Sequence, residues 1–322
     1  MKRVIIDTDA GVDDSLAIAL AMLSPELQVE AITTVSGNVE VHKCERNVRL
    51  VLETLQIEVP PPVAKGEAAP LVRPLLTAPE VHGSDGVGGI TEILLSDGSR
   101  KYPEPEMPVD RRTGSQLILE LARKYGPELT IITLGPLTNI AQAIMADPVA
   151  MKTIGSIAMM GGAFRVYGNT SAVAEFNIYV DPDAAKIVFN LGVPITVFPL
   201  DVTEQLRLMR QDVESTFLAN PSRIMEFMRD ISSFYMDYHR KHDGFDGCYM
   251  HDPLTVGAVI DPSFVRTIET WVDIETVSDL TRGMTVAELR TDRLPVKTNA
   301  QVAVEVDAER FIRFFLDRIA KE

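Results

Sequence analysis

The sequence predicts an α/β fold of one domain, residues 1–322, with a mostly parallel central sheet flanked by helices. Two observations carry this prediction. Short apolar runs alternate with segments of helical spacing, and within the runs apolar residues follow one another without polar interruption. Strands buried on both faces have this pattern, because helices cover both sides of a parallel sheet. We therefore expect a Rossmann-like arrangement with its active site at the carboxyl ends of the strands.

Each predicted strand is an apolar run that ends in polar or turn-forming residues. The predicted strands are Val4–Ile6, Val29–Val35, Leu129–Leu134, Ser156–Met160 and Pro194–Leu200. Between them apolar residues recur at helical intervals, as at Val48, Leu52 and Leu55. The predicted helices are Asp14–Leu23, Val41–Leu55, Leu137–Met145 and Asp183–Leu191.

Two stretches break this alternation. Pro60–Pro79 is rich in Pro, Ala and Gly and leads into Val81–Gly89, and together they predict a long flexible loop. Asp201–Asp246 is predicted to be mainly helical, with Pro221 starting a long helix toward Tyr238. Neither stretch shows a composition shift sharp enough to mark a domain boundary, so we expect one domain with insertions.

The overall charge narrows the classes of partner. The chain has 46 acidic and 31 basic residues, a formal net charge of −15, which argues against nucleic-acid phosphates or an anionic membrane as partner.

Cys44 and Cys248 are too few for a disulfide framework. The apolar stretch after Met1 is too short for a signal peptide, and no apolar run is long enough to span a bilayer. We therefore expect a soluble cytoplasmic protein.

Four aspartates, Asp7, Asp9, Asp13 and Asp14, stand where the first predicted strand meets the first helix. One or two of them could cap the helix or complement its dipole, but that does not account for four like charges at one corner. A hard cation would relieve their repulsion, because oxygen-ligated divalent ions gather several carboxylates around one point. The segment is not an EF-hand, because the later glycine and terminal glutamate are missing. The corner predicts a metal site.

Other polar clusters are weaker signals when each is taken alone. His251–Pro253 could simply begin a helix, since Asp-Pro also occurs elsewhere in this chain. The loop Gly168–Asn177 is either an ordinary polar loop or one that presents hydrogen-bonding groups to a polyol. The stretch Tyr235–His239 could be a half-exposed helix face, and His82 precedes a glycine-rich loop of a kind that can close over ligands.

Taken together, these segments resemble the nucleoside hydrolases of the inosine–uridine-preferring type. The segments that carry the resemblance are Asp7–Asp14, Ala31–Asn38, Thr133–Asn139, Met159–Gly162, Glu175–Asn177 and His251–Pro253. They keep the family's order and span most of the chain. One departure is Ala10, where many members carry proline; we expect it to affect loop rigidity more than chemistry.

The resemblance implies a calcium-dependent enzyme that hydrolyses the N-glycosidic bond of ribonucleosides. It implies that Asp9, Asp14, the backbone carbonyl of Thr133 and Asp252 hold the calcium ion, which also takes the ribose 2′- and 3′-hydroxyls and one water. Asp9 would be the general base on that water, and Asp7 would orient the other aspartates. The implied ribose contacts are Asp13, Asn38 and Asn177 at the 2′- and 3′-hydroxyls, and Asn169, Glu175, Phe176 and the Met160 region toward the 5′-hydroxyl.

The resemblance also implies a partner for the departing base. His251 is the implied proton donor, and His82, Tyr235 and His239 are implied base-pocket residues. We expect broad or inosine–uridine preference, with pyrimidine specificity as the alternative. A homodimer or homotetramer is implied as well.

Two other classes of function stay open on the sequence alone. Asp7–Asp9 after a strand also resembles the start of a haloacid-dehalogenase-type phosphatase, with Asp7 as nucleophile and magnesium as cofactor. Against it, the Thr or Val expected at Gly11 and a later acidic pair are missing. A non-enzymatic sugar-binding module is the other alternative, although no expected ligand position is lost.

Overall fold

A central sheet organises the computed structural model, which describes residues 1–290, 292–293 and 295–321. The strands are β1 (Lys2–Thr8), β2 (Leu27–Thr34), β3 (Val63–Lys65), β4 (Leu129–Thr133), β5 (Ser156–Met160), β6 (Ile195–Phe198), β7 (Arg207–Met209), β8 (Gly247–Tyr249), β9 (Val265–Thr270), β10 (Val272–Ile274), β11 (Thr285–Ala287) and β12 (Ala300–Val306). Eight of them form one sheet in the order β3-β2-β1-β4-β5-β6-β12-β9. Every neighbouring pair is parallel except β12 with β9, so the predicted fold class is confirmed.

Helices cover both faces of this sheet. They are α1 (Val12–Met22), α2 (Val41–Thr54), α3 (Pro79–His82), α4 (Gly114–Tyr125), α5 (Thr138–Ala146), α6 (Pro148–Met151), α7 (Phe176–Val180), α8 (Pro182–Phe189), α9 (Leu200–Thr203), α10 (Arg210–Ala219), α11 (Arg223–His242), α12 (His251–Ile260) and α13 (Ala308–Ile319). Short 3-10 turns occupy Ile90–Glu92, Gly126–Glu128 and Pro262–Phe264. Two antiparallel pairs, β7 with β8 and β10 with β11, lie outside the main sheet.

Strand β1 shows why the sheet has two cores. Val4, Ile5 and Ile6 are all fully buried, and successive side chains of a strand point to opposite faces. Val4 and Ile6 accordingly belong to the core on one face, and Ile5 belongs to the core on the other. A continuous apolar run is therefore needed here, and an alternating one would leave one face without a core.

Helix α1 is held between the sheet and the C-terminal part of the chain. It packs against α12 and α13, and its Leu16 shares a core with Phe311 and Phe315 of α13. At Gly257 of α12 a Cβ would lie 2.3 Å from the ring of Phe311, so this glycine allows the two helices to meet closely. The helix that carries Asp13 and Asp14 is thus fixed by the last helix of the chain.

The carboxyl ends of four neighbouring strands meet at one edge of the sheet. Asp7 of β1 is level with Thr33 of β2 on one side and with Thr133 of β4 on the other, and Thr133 is level with Met159 of β5. Because β2 and β4 continue from β1 in opposite directions across the sheet, a crevice opens at this point. The polar residues that follow these strands are brought together there.

Most of the predicted elements agree with the structure to within a few residues. The predicted flexible loop instead contains β3 and α3, and its glycine-rich part is largely buried. The long helix predicted from Pro221 begins at Arg223, because the Ser222 hydroxyl accepts from the Met225 amide and caps it. Strands β9 and β12, which complete one edge of the sheet, were not predicted.

The two cysteines, Cys44 and Cys248, are both buried free thiols. Among the residues described, no helix combines the length and the apolar character needed to cross a membrane.

Candidate active site

A cavity of about 550 Å³ opens at the carboxyl edge of the sheet. Twelve of the residues singled out from the sequence lie on its wall: Asp13, Asn38, His82, Met160, Asn169, Glu175, Phe176, Asn177, Tyr235, His239, His251 and Asp252. Asp9 and Asp14 lie behind this wall and are almost fully buried. The residues that were separated along the sequence are therefore collected around one space.

Asp14 fixes the corner between β1 and α1. Its carboxylate accepts the hydroxyl of Thr8, and also the backbone amide of Gly11 at 2.8 Å. It further accepts the side-chain amide of Asn38 from the next strand-to-helix loop, at 3.0 Å. The same carboxylate thus closes the turn at the start of α1 and ties it to the loop after β2.

Asp9 is enclosed by two glycines. A Cβ at Gly37 would lie 2.1 Å from Asp9 Oδ2, and one at Gly135 would lie 2.9 Å from Asp9 Oδ1. Oδ2 accepts the backbone amide of Asn38 at 2.7 Å, whereas Oδ1 is buried and has no hydrogen-bond partner among the described residues. Burial and the nearby charge of Asp14 raise the pKa of Asp9 well above its usual range.

Three carboxylates converge beside Asp9. Asp13, Asp14 and Asp252 each offer an oxygen, and these oxygens all lie within 4.8 Å of one another. Burial, followed by mutual repulsion, raises the pKa of Asp13 and of Asp252 well above the usual range. These buried carboxylates are costly to ionise without a counter-charge, and the unpartnered Oδ1 of Asp9 lies next to them. Together they form the kind of oxygen donor set that a hard divalent cation requires.

Asp7 does not belong to this group. Its Oδ1 accepts the Thr33 hydroxyl at 2.5 Å and the Asn139 side-chain amide at 2.7 Å, and burial raises its pKa to about 7. Asn139 also donates to the carbonyl of Thr34 at 2.9 Å. Asp7 therefore joins β1 to β2 and α5, and supports the corner through the backbone without a hydrogen bond to the other aspartates.

Thr133 is fully buried within β4 and does not reach the cavity wall. The next residue, Leu134, does line the cavity, and its carbonyl accepts the Asn177 side-chain amide at 2.7 Å. Thr133 thus lies behind the cavity wall, as Asp9 and Asp14 do, and Leu134 is the residue that lines the wall where β4 ends.

The start of α7 forms a rigid polar floor. The Glu175 carboxylate accepts the backbone amides of Asn177 at 2.8 Å, Gly162 at 3.0 Å and Ile178 at 3.1 Å. Asn169 accepts the backbone amide of Phe176 at 2.9 Å. Burial raises the pKa of Glu175 despite these bonds. The loop Gly168–Asn177 is therefore an ordered set of fixed donors and acceptors.

Aromatic and imidazole rings form the opposite wall. His82 stacks on Tyr235 with ring centroids 5.3 Å apart, and Tyr235 meets the edge of His239 at 4.5 Å. Tyr249 links His239 to His251 at centroid distances of 4.8 and 5.4 Å. Flat apolar faces of this kind suit a planar heterocycle.

The histidines on this wall are held in different ways. Thr203 Oγ1 lies 2.7 Å from Nδ1 of His251, and Asp243 lies 2.7 Å from Nδ1 of His239. Burial lowers the pKa of His82 and of His251 to about 3, so both rings are neutral at pH 7. Burial also lowers the pKa of His239, and the hydrogen bond to Asp243 opposes this effect.

Several cavity residues were not identified from the sequence. They are Leu134, Glu204, His242, Asp243 and Tyr249, and the role of Tyr238 was left undetermined. The spacing of Tyr238 and His242 by four positions on one helix was a usable signal, since the two rings stack at 4.4 Å. Glu204 offered none, because it follows a short helix that the sequence pattern does not delimit.

Comparison with known proteins identifies the family of this chain. The family model described as inosine-uridine preferring nucleoside hydrolase matches residues 4–313. The chain belongs to the nucleoside hydrolase family. The family assignment makes it an enzyme that hydrolyses the N-ribosyl bond of ribonucleosides, and it decides against the phosphatase alternative. Asp7, the nucleophile of that alternative, is fully buried.

Nucleoside hydrolases of different preference are similar to this chain. The pyrimidine-specific ribonucleoside hydrolase RihA of Salmonella gallinarum is 38% identical over 319 residues, covering 98% of this chain and 97% of the relative. The purine-preferring ribonucleoside hydrolase from Gardnerella vaginalis has a TM-score of 0.90 at 32% identity, covering 99% of this chain and 98% of that one. An inosine-uridine preferring nucleoside hydrolase from Bacillus anthracis, 19% identical with full coverage of both chains, shares the fold with a TM-score of 0.81.

The close approach of Gly37 to Asp9 gives a steric test of this nucleoside hydrolase site. Gly37→Ala would displace the Asp9 carboxylate, because the new Cβ would lie 2.1 Å from its Oδ2. We expect kcat/KM to fall by about 100-fold, the order of effect of a small misplacement of a reacting group. Steady-state kinetics on a ribonucleoside measures this.

Gly155→Ala is the matched control. Its Cβ would lie 2.3 Å from the carbonyl of Pro127, at the opposite edge of the sheet. We expect it to lower the melting temperature and to leave kcat/KM within about twofold. Equal kinetic losses in the two variants would contradict the assignment of Asp9 to the reaction.

Proposed function

We propose that this nucleoside hydrolase is calcium-dependent and that Asp9, Asp14, Asp252 and the backbone carbonyl of Thr133 hold the ion, with the Asp13 carboxylate beside them. The observation that carries the proposal is the convergence of three buried carboxylates within 4.8 Å, next to the unpartnered Oδ1 of Asp9. All these donors are oxygen atoms, which calcium prefers over nitrogen and sulfur. The carbonyl predicted at Thr133 remains part of the proposed ligand set, with the Leu134 carbonyl nearer to the cavity.

The ribose is proposed to lie between the carboxylates and the floor at α7. Asp13, Asn38 and Asn177 would bind its 2′- and 3′-hydroxyls. Asn169, Glu175 and the region of Met160 and Phe176 would bind its 5′-hydroxyl. This placement is supported by the position of all these side chains on one cavity wall and by the fixed orientations that their backbone hydrogen bonds impose.

Bond cleavage generates positive charge on the sugar, because the transition state is oxocarbenium-like. The carboxylate side of the cavity favours that charge over the neutral ground state, and this difference lowers the barrier. Bound calcium would supply positive charge that makes an attacking water more acidic. Asp9 is the proposed general base, since its Oδ1 accepts no hydrogen bond from the described residues and can take the proton of that water.

His251 is the proposed donor to the departing base. Its Nδ1 lies 2.7 Å from the Thr203 hydroxyl. When Nδ1 accepts that hydroxyl proton, Nε2 carries the hydrogen and donates to the base as a neutral imidazole. His82, Tyr235 and His239 complete the proposed base pocket through the faces and edges of their rings.

Base preference is proposed to be broad or inosine–uridine-preferring, in a role in nucleoside salvage. The stacking wall supports breadth, because every base has a flat face that can pack on these rings. Pyrimidine specificity is the second candidate, and it is favoured by the 38% identity to a pyrimidine-specific relative. The homodimer or homotetramer and the cytoplasmic location remain predictions.

Removal of the ion tests calcium dependence. We expect a calcium chelator to abolish ribose release and added calcium to restore it, because the carboxylates repel one another without a cation. Asp252→Asn should weaken calcium binding at least tenfold by calorimetry, since it removes one negative charge from the ligand set. Asp261→Asn, at the Asp-Pro that ends the same helix, should bind calcium like the wild type. Full activity in excess chelator would contradict the proposal.

The role of His251 is tested by changing the leaving group. We expect His251→Ala to slow inosine hydrolysis by about 100-fold, in the range for loss of a general acid. The same variant should slow a nitrophenyl riboside far less, since that leaving group departs without protonation. His42→Ala, at an exposed position on α2, is the control and should change neither rate. Equal slowing of both substrates would remove His251 from the role of donor.

Kinetic comparison of inosine, uridine and cytidine decides between the two base preferences. Broad preference predicts kcat/KM values within about tenfold of one another, since stacking on flat rings discriminates weakly. Pyrimidine specificity predicts that inosine falls more than about 100-fold below uridine, a ratio that requires hydrogen-bonded recognition of the base edge.

A further inference from the structure

Helix α2 contacts the aspartate corner, the segment from Asp9 to Asp14 between β1 and α1, from the side away from the cavity. The Cys44 thiol donates to the carbonyl of Asp9 at 2.9 Å, and the Asn47 side-chain amide donates to the carbonyl of Ala10 at 3.0 Å. Both side chains are fully buried and neither lines the cavity. Two consecutive carbonyls of the loop between β1 and α1 are therefore fixed by groups that a substrate in the cavity does not touch.

The loop needs such support because Ala10 has an unfavourable backbone conformation. Its φ is +41°, in the left-handed region that residues other than glycine rarely adopt. A conformation of this kind persists only when the surrounding structure imposes it. The hydrogen bond from Asn47 acts on the carbonyl of Ala10 itself, between Asp9 on one side and Gly11 on the other.

Asn47 uses its second amide hydrogen on a different loop. Nδ2 also donates to the carbonyl of Asp85 at 2.9 Å. Arg46 donates to Asn47 Oδ1 and to the same Asp85 carbonyl, both at 2.8 Å, which fixes the orientation of the amide. Each hydrogen-bonding atom of the Asn47 side chain is thus occupied, and its two hydrogens join two loops.

The second loop is a turn that follows His82. The Asp85 carboxylate organises it by accepting the backbone amides of Val87, Gly89 and Thr91 and the hydroxyl of Thr91. Gly86 lies so close that a Cβ there would be 2.8 Å from Asn47 Nδ2. His82 itself accepts the backbone amide of Val12 at 3.2 Å and stacks on Tyr235.

We propose that Asn47 is a positioning residue that sets the aspartate corner relative to His82, and so aligns the metal and ribose side of the cavity with the base side. The inference rests on the proposed function. The Asn47 amide joins two segments: the loop that leads from Asp9 to Asp13, and the turn that follows His82. It does so from outside the cavity. Its loss would let the two walls shift against each other without removing any reacting group.

The test compares three variants of the full-length protein with the wild type. Asn47→Ala removes both bridges, and Asn47→Asp keeps the size but replaces the donor by an acceptor that faces two carbonyls. Arg46→Ala leaves the amide in place but removes the group that orients it.

For the two Asn47 variants we expect kcat to fall about 10- to 100-fold with a smaller change in KM. We expect the Kd for calcium, measured by calorimetry, to rise about tenfold. Arg46→Ala should give a smaller loss of the same kind.

Asn299 provides a matched control at the amino-terminal end of β12. Its Nδ2 donates to two carbonyls, those of Phe189 at 3.1 Å and Val272 at 2.9 Å, and its Oδ1 accepts the Val272 amide. Asn299→Ala should lower the melting temperature as Asn47→Ala does, but should leave kcat and the calcium Kd within twofold of the wild type. Asn47 variants that behave like Asn299→Ala would overturn the inference.

Two outcomes need separate interpretation. If Asn47→Ala does not fold, Asn47→Asp and Arg46→Ala decide, and wild-type kcat and calcium Kd in both would overturn the inference. If the wild type itself neither binds calcium nor releases ribose, the proposed function has failed. Wild-type binding and hydrolysis together with unaffected Asn47 variants would overturn the positioning role alone.

Discussion

Repulsion among buried carboxylates is the constraint around which this molecule is arranged. Asp9, Asp13, Asp14 and Asp252 are brought to one edge of the sheet, where burial raises the pKa of each above its usual value. An arrangement this costly persists only if many other groups hold it. Glycines enclose Asp9, and backbone amides and hydroxyls anchor Asp14. The rest of the chain supplies a rigid frame for charges that would otherwise move apart.

The two sides of the cavity offer two different kinds of interaction, electrostatic on one side and stacking on the other. On one side, oxygen atoms with fixed orientations surround the proposed position of the ribose, where positive charge would develop during the reaction. On the other, stacked rings such as His82 on Tyr235 exclude water and offer flat surfaces. The carboxylate side acts through charge and the ring side through shape. In the proposed binding mode the chemistry of the sugar is separated from recognition of the base, which fits a family whose members are named for different base preferences.

Features encoded within a few residues were predictable from the sequence. The Asp9–Asp14 corner and the parallel sheet could be predicted because each depends on a local pattern, and the resemblance to a family supplied the downstream residues. Features that depend on strand pairing or on distant partners were not. Leu134 lines the cavity one residue after Thr133, because β4 stops pairing with its neighbours at Thr133, one residue before the predicted end of the strand. Strands β9 and β12 were not predicted, because polar residues interrupt the apolar residues within each of them.

The packing of α13 against α1 has a consequence for biosynthesis. Helix α1 carries two of the aspartates, yet its core includes Phe311 and Phe315 from the end of the chain, and β12 inserts between β6 and β9 only when it has been translated. Helix α1 therefore cannot complete its packing until α13 has been synthesised. Contacts this distant in sequence slow folding and leave apolar surface exposed on the nascent chain. The aspartates carried by α1 therefore gain their full packing support only after α13 has been synthesised.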